Sequence, residues 1–209
     1  MKIIKADVEI LTPINGKEIL QRIEQAGRVC YKSEDKITDG SAEKFVANIL
    51  KRGHEAVLEH QSITVKFICD RGVSHEIVRH RLAAYCQEST RYCNYSKDGF
   101  GNEITVIEPC FLKHDTPQWA AWESAMKNAE FSYFRMLELG CTPQEARSVL
   151  PNSLKTEVIM TADIREWRHF FKLRCSPAAH PQMREVAIML LKKLQAQIPI
   201  LFDDIEVEV

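Results

Sequence analysis

Residues 2–10, KIIKADVEI, alternate between apolar and polar side chains at the period of a β-strand. Residues 62–69, SITVKFIC, do so again, with Ile63, Val65 and Phe67 set against Thr64 and Lys66. EITVIE at 103–108 and residues 154–161 predict two further strands. Between them the period lengthens to that of a helix. KEILQRIEQAGRVC and SAEKFVANILKRG read as amphipathic helices, the second stopped by Gly53. The long run from Thr116 and Pro117 to Gly140 carries Trp119, Trp122, Met126, Ala129, Tyr133 and Met136 at intervals of three and four, a stripe for a core or a subunit interface. Thr142 to Glu145 and Asp163 to Glu166 are capping-box patterns, the second opening a helix to about Arg174. Pro181 opens a last helix to about Gln197. Long helices with few, separated strands predict an α+β fold, with the helices packed on a small mixed or antiparallel sheet. No repeat or low-complexity linker interrupts the chain, which reads as one domain over 1–209.

A helix is also predicted at about 72–84. On it, Arg79 and Arg81 stand about 200° apart, so that one faces water or the two serve different ligands. Glu76, Arg79 and His80 share a face by i,i+3 and i,i+4 spacing. After Tyr85 the segment reads as extended, which puts Gln87, Ser89 and Arg91 on one side. An amide, a hydroxyl and a guanidinium there suit a base edge and a phosphate. In REWRHFFKLR, Trp167, Phe170, Phe171 and Arg174 fall at i, i+3, i+4 and i+7. The apolar stripe thus ends in an arginine that needs a partner or an exit to solvent, because an unpaired buried charge costs several kcal/mol. Arg165 and His169, four apart, face solvent or bracket a ligand.

Composition narrows the chemistry. A net charge of −1 over 209 residues excludes a global basic field for a polyanion, so an anion site must be local. The eight glycines are dispersed and form no dinucleotide-binding loop. The charged, alternating N-terminus is unlike a signal peptide and no apolar run approaches ~20 residues, so a cytoplasmic protein without membrane contact is expected. Seven scattered cysteines without a CxxC pair suit a reducing compartment. HEAVLEH (His54 to His60) and HEIVRH (His75 to His80) look like HExxH, but their histidines are about 240° and 140° apart on a helix and cannot chelate one zinc, so no metal is expected.

The segment RHRLAAYCQESTRYCNYS, Arg79 to Ser96, then carries the sharpest signal. Arg79-His80-Arg81 followed by Ser89 is an RHRx7S motif, preceded by HEAVLEH and followed by ARSVLP at 146–151 and DIREWRHFFKLR at 163–174. With these four blocks in order, the chain resembles the flavin-dependent thymidylate synthases over nearly its whole length. The resemblance implies FAD as cofactor, dUMP as substrate, methylenetetrahydrofolate as carbon donor, NADPH as reductant, and a homotetramer with shared active sites. It implies dUMP contacts at Glu76, Ile77, Val78, Arg79, Gln87, Glu88, Ser89, Thr90, Arg91, Arg147 and Arg174. It implies FAD contacts at Ala56, Arg79, His80, Arg81, Gln87, Asp163, Arg165 and His169. Three positions depart from the family's pattern. Ala56 stands where Ser or Thr is frequent, leaving only backbone to bond the cofactor. Asp163 stands where Asn is commoner, and as an N-cap it has a second task. Gln87-Glu88 replaces an Asn-Glu pair.

The family is held to need no protein nucleophile. Arg174 is the residue expected to polarise the uracil ring, its planar, permanently charged fork meeting the N3–C4=O edge. Two other classes remain open on sequence. Arg91, Tyr92 and Tyr95 interleave cation and aromatics as an RNA-stacking platform does, against which stands the neutral net charge. A flavin-binding homologue without synthase activity is the other.

Overall fold

The computed structural model describes residues 1–97, 99 and 101–207. The chain forms two compact units, one of Met1–Asp7, Phe67–Arg79 and Cys86–Val158, the other of Val8–Lys66, His80–Tyr85 and Ile159–Val209. Each is assembled from three separated stretches, which is why no linker is visible along the sequence. The α+β class is as expected.

The first unit holds a two-stranded parallel sheet, β1 (Lys2–Ile4) with β5 (Thr105–Ile107). The predicted strand over 2–10 is therefore two strands, because β1 pairs with β5 while β2 (Asp7–Ile10) joins a different sheet. The long helix α4 (Pro117–Glu138) begins where Thr116 Oγ1 accepts the Trp119 N–H, and Gly140 follows it at φ 93°. Its stripe is core: Met126 and Tyr133 pack with Tyr95, Ile104, Val106 and Leu154, and Trp122 and Met136 line the same cluster. The helix α5 (Pro143–Ala146) carries the expected capping box of Thr142 and Glu145.

In the second unit, α1 (Gly16–Tyr31) lies on α2 (Ser41–Lys51). A Cβ on Gly27 would come within 2.6 Å of the Phe45 ring, so this crossing needs glycine. The helix α6 (Ile164–Arg174) packs on α7 (Pro181–Gln197) and on the 3-10 turn Glu55–His60, and α8 (Pro199–Phe202) closes against α7 and α2. Trp167, Phe170 and Phe171, the predicted apolar stripe of α6, are fully buried. Arg168, also buried, donates to both carboxylate oxygens of Asp204 and to Glu55.

A four-stranded sheet has the order β2-β3-β6-β4, with β3 (Ser62–Asp70), β4 (Ala83–Gln87) and β6 (Lys155–Asp163). In β3 the side chains of Ile63, Val65 and Phe67 are buried while their neighbours are half-exposed, as the alternation predicts. Among the described residues no helix is long and apolar enough to cross a membrane. All seven cysteines are free thiols.

Candidate active site

The RHR segment leaves its helix early. The helix α3 (Arg71–Ile77) is capped by Asp70, whose side chain accepts the Val73 N–H at 2.7 Å, and it ends well short of residue 84. Arg79 N–H bonds back to Glu76, and the chain then turns out of the helix. The cause is tertiary: His80 is buried, with ring nitrogens 3.0 Å from Glu166 Oε1 and 3.0 Å from Arg174 Nε, and its carbonyl accepts the Tyr85 hydroxyl at 2.7 Å. Those bonds outweigh helix propensity, a weak prior. Leu82, 82% exposed and at φ 64°, completes the turn into β4, a strained setting for a residue with a Cβ. Arg79 and Arg81 are thus on a loop, and the 200° helical separation does not apply. Both are exposed and have no ion pair among the described residues.

The extended run also stops sooner than expected. Glu88 N–H still bonds to Glu157, but Ser89 opens a turn: its carbonyl accepts the Tyr92 and Cys93 N–H groups and its Oγ accepts the Arg91 N–H at 3.2 Å. Gln87, Ser89 and Arg91 therefore do not share one side of a strand.

Within the first unit the predicted residues make several separate polar contacts. Gln87 Nε2 donates to Ser74 Oγ at 2.9 Å and to Thr156 Oγ1 at 3.3 Å, and Arg147 donates to Thr90 Oγ1 at 3.4 Å. Arg91 Nε donates to Gln144 at 3.1 Å. Glu88 pairs with Lys155 at 2.9 Å and accepts the Tyr95 hydroxyl at 3.4 Å. Glu76 is half-buried and Val78 exposed, whereas the Ile77 side chain is wholly buried, so only its backbone is placed to meet a ligand. A cleft of about 370 Å³ is lined by Arg71, His75, Thr90, Arg147, Ser148 and Asn152 among others, with no carboxylate in its wall. Two guanidiniums without a counter-carboxylate in the wall would favour an anion there. Sequence reasoning passed over Arg71. Its signal was a cation directly after the N-cap Asp70 at the end of a buried strand.

Within the second unit, Leu82, Asp163, Arg165, Glu166, His169 and Lys172 line a cleft of about 420 Å³ with Glu55 and Glu59. Asp163 performs the expected N-cap, accepting the Glu166 N–H at 2.8 Å. Arg165 pairs with Glu59 at 2.5 Å, both side chains being about half exposed. Ala56 is exposed in the adjoining 3-10 turn. Arg174, half-buried at the end of α6, meets His80. The environment of His80 holds its pKa down at about 4, through burial first and then the charges of Arg174 and His169.

The first cleft thus gathers arginine and histidine donors in a wall free of carboxylates, whereas the second mixes Arg165, His169 and Lys172 with Glu55, Glu59, Asp163 and Glu166. Residues 14–200 match the family model described as thymidylate synthase complementing protein. The chain is 34% identical to the flavin-dependent thymidylate synthase of Corynebacterium glutamicum, covering 97% of this chain and 85% of that protein. It is 34% identical to the enzyme of the same name from Geobacter sulfurreducens (86% and 78% covered) and 33% identical to that of Pyrococcus furiosus (85% and 75%). Among solved structures it shares its fold with the UMP/dUMP methylase PolB of Streptomyces cacaoi bound with 5-Br dUMP, at a TM-score of 0.79 and 21% identity over 97% of this chain and 96% of that one. The chain belongs to the flavin-dependent thymidylate synthase family.

Proposed function

We propose that this chain converts dUMP to dTMP with FAD as cofactor, methylenetetrahydrofolate as carbon donor and NADPH as reductant. It does so as a cytoplasmic homotetramer of one catalytic domain over 1–209, with active sites shared between copies. The observation that carries this reading is the cleft of Arg71, His75, Thr90 and Arg147, cationic and free of carboxylates, in a chain of this family. A nucleoside monophosphate dianion is the ligand such a wall favours. For dUMP the proposed contacts are Glu76, Ile77, Val78, Arg79, Gln87 through Arg91, Arg147 and Arg174. For FAD they are Ala56, Arg79, His80, Arg81, Gln87, Asp163, Arg165 and His169.

The residues fit a phosphorylated, aromatic cofactor. Arg81 is exposed without a partner among the described residues, and the exposed Arg165–Glu59 pair is weak enough to exchange its carboxylate for a phosphate. FAD, when bound and reduced by NADPH, would supply the hydride that brings the transferred methylene carbon to the methyl level, returning to its oxidised form. The protein's own part is to hold dUMP by its phosphate and to place Arg174 against the N3–C4=O edge, where charge develops as N3 loses its proton. Arg81→Ala and Arg165→Ala each lose a charge-assisted contact and should bind FAD about 10- to 100-fold more weakly. Flavin absorbance of the purified variants reads this, and two fully yellow variants of unchanged affinity refute the assignment. NADPH oxidation that depends on dUMP and yields dTMP tests the reaction. Light scattering that returns a fully active monomer removes the tetramer.

Cysteine attack on C6 of the uracil is the rival mechanism. It needs a thiolate. The Cys93 thiol is pushed up, by burial and then by the Glu88 carboxylate, away from that state. Ser89 Oγ accepts a backbone N–H from Arg91, and no general base is paired with it among the described residues. Cys86→Ala and Cys93→Ala therefore keep dTMP synthesis within about threefold, and Ser89→Ala weakens dUMP binding yet retains turnover. Mass spectrometry of the denatured enzyme after reaction checks this: a dUMP adduct on Cys86, Cys93 or Ser89 restores the nucleophile.

A further inference from the structure

Glu166 is absent from the residues that the family pattern implies, yet it sits behind two of them. Its carboxylate Oε1 lies 3.0 Å from His80 Nδ1, and on the other edge of the ring Nε2 lies 3.0 Å from Arg174 Nε. An arginine Nε–H can only donate. His80 Nε2 must therefore hold a lone pair, and in a neutral ring the proton then resides on Nδ1, pointed at Glu166. An imidazolium would set an N–H against the Arg174 N–H.

We propose that Glu166 is a positioning residue for the proposed dUMP reaction, acting through the Nδ1–H tautomer of His80 to fix the guanidinium of Arg174. This rests on the reading of Arg174 given above. A half-buried arginine at a helix end has several rotamers. Docking Nε on a buried imidazole fixes the plane of the guanidinium that the proposed reaction uses. Glu166 is half-buried, and its own backbone is fixed by the Asp163 N-cap, so the chain of bonds starts from a rigid point. The groups that face His80 from α6 are Glu166, His169, Phe170 and Arg174, and from β4 the Tyr85 hydroxyl.

A second use of the same atoms is a divalent-cation site, since the donor atoms of His80, Glu166 and His169 lie within 4.8 Å of one another. The hydrogen bonds argue against it. With Nε2 occupied by Arg174 and Nδ1 protonated, His80 has no lone pair to offer a metal, and a guanidinium stands beside the cluster. The relay explains both ring nitrogens and the cation site explains neither.

The relay also has a pH sign. His80 in the folded protein protonates near 4, against about 6.5 in an unfolded chain. Between those values the unfolded chain binds the extra proton, so the stability that comes from neutral His80 is complete above about pH 6.5 and is lost as pH falls through about 4.

The test uses ¹⁵N-histidine-labelled holoprotein at pH 7, with two-bond ¹H–¹⁵N correlations reporting which ring nitrogen of His80 carries the proton. Wild type and Glu166→Gln, whose amide oxygen still accepts, are expected to show Nδ1–H. Glu166→Leu is expected to shift toward Nε2–H, to displace the Arg174 Nε–H resonance and to lower kcat by about 10- to 100-fold at unchanged FAD content. Glu166→Gln recovers most of that kcat, which a purely structural role of the charge would not allow. An Nε2–H or doubly protonated His80 in wild type, stoichiometric Zn²⁺ bound by the wild-type cluster, or wild-type kcat in Glu166→Leu overturns the proposal. If Glu166→Leu does not fold, an Nε2–H tautomer in Glu166→Gln overturns it equally. The spectra read the relay whether or not the protein makes dTMP, so a failure of the enzymatic reading is distinguished by the absence of product in wild type.

Discussion

Arg174→Ala lowers kcat for dTMP formation by about 10²- to 10³-fold and leaves FAD bound. The size follows from the task assigned to the side chain. On the proposed mechanism charge would develop on the uracil as N3 gives up its proton, and a fixed guanidinium would stabilise that charge without reorganising. A methyl group does nothing for it. Cofactor occupancy is predicted to survive because the proposed phosphate contacts, Arg81 and Arg165, are other residues. Arg174→Lys is not a rescue. Lysine keeps the charge but loses the planar fork and the Nε–H that reaches His80 Nε2 at 3.0 Å, so turnover stays at least about tenfold below wild type. Single-turnover rates of dTMP formation on the flavin-loaded variants, beside their absorbance spectra, check both statements. An alanine variant that turns over at the wild-type rate sinks the polarising role. One that is colourless shows that Arg174 holds the cofactor instead.

The elements that were legible in the sequence are those whose periodicity is enforced by burial within one continuous segment. Trp119, Met126 and Tyr133, buried on α4, or Ile63, Val65 and Phe67 on β3, each write their own element. What the pattern misread was set from a distance. The end of α3 is decided by Glu166, Arg174 and Tyr85 taking hold of His80, and none of them is near it in sequence except Tyr85. The split of residues 2–10 into β1 and β2 reflects two different sheets, and a polar-apolar alternation is the same in either. The turn at Ser89 was written locally, in a serine that bonds a backbone amide two residues on, but it was read as strand because of the β-forming neighbours. At the site, the arginine blocks stood out by motif. Arg71 and Glu166 did not, since each matters through a side chain that it meets only after folding: Arg71 reaches Thr156 and the Glu88 carbonyl, and Glu166 reaches His80. Buried Arg168 is a further case, its four hydrogen bonds ending on Glu55, Leu201 and Asp204.

Trp167→Ala is expected to destabilise the fold by about 3–5 kcal/mol, a large share of the ~5–15 kcal/mol that holds a domain together. The side chain is fully buried on α6, the helix that carries Arg165, His169 and Arg174. Its ring meets Phe170 edge-on at 5.4 Å and stacks with Phe171 at 6.0 Å, so removing it opens a cavity that two other large rings border. The indole also has a polar duty: Nε1–H donates to the Ile63 carbonyl of β3 at 3.1 Å. The two contributions separate by substitution. Trp167→Phe refills most of the volume but leaves that buried carbonyl without its donor, and is expected to cost about 1–3 kcal/mol. Urea unfolding of both variants beside wild type measures the difference, with the slope against denaturant checked for constancy. Equal losses in the two variants would assign the whole effect to the hydrogen bond, and a loss below about 1 kcal/mol in the alanine variant would mean that α6 is not anchored here. At the loss expected, the alanine variant also releases the helix that positions Arg174, so its residual turnover should fall with the folded fraction as temperature rises, whereas Arg174→Ala is slow at every temperature at which it is folded.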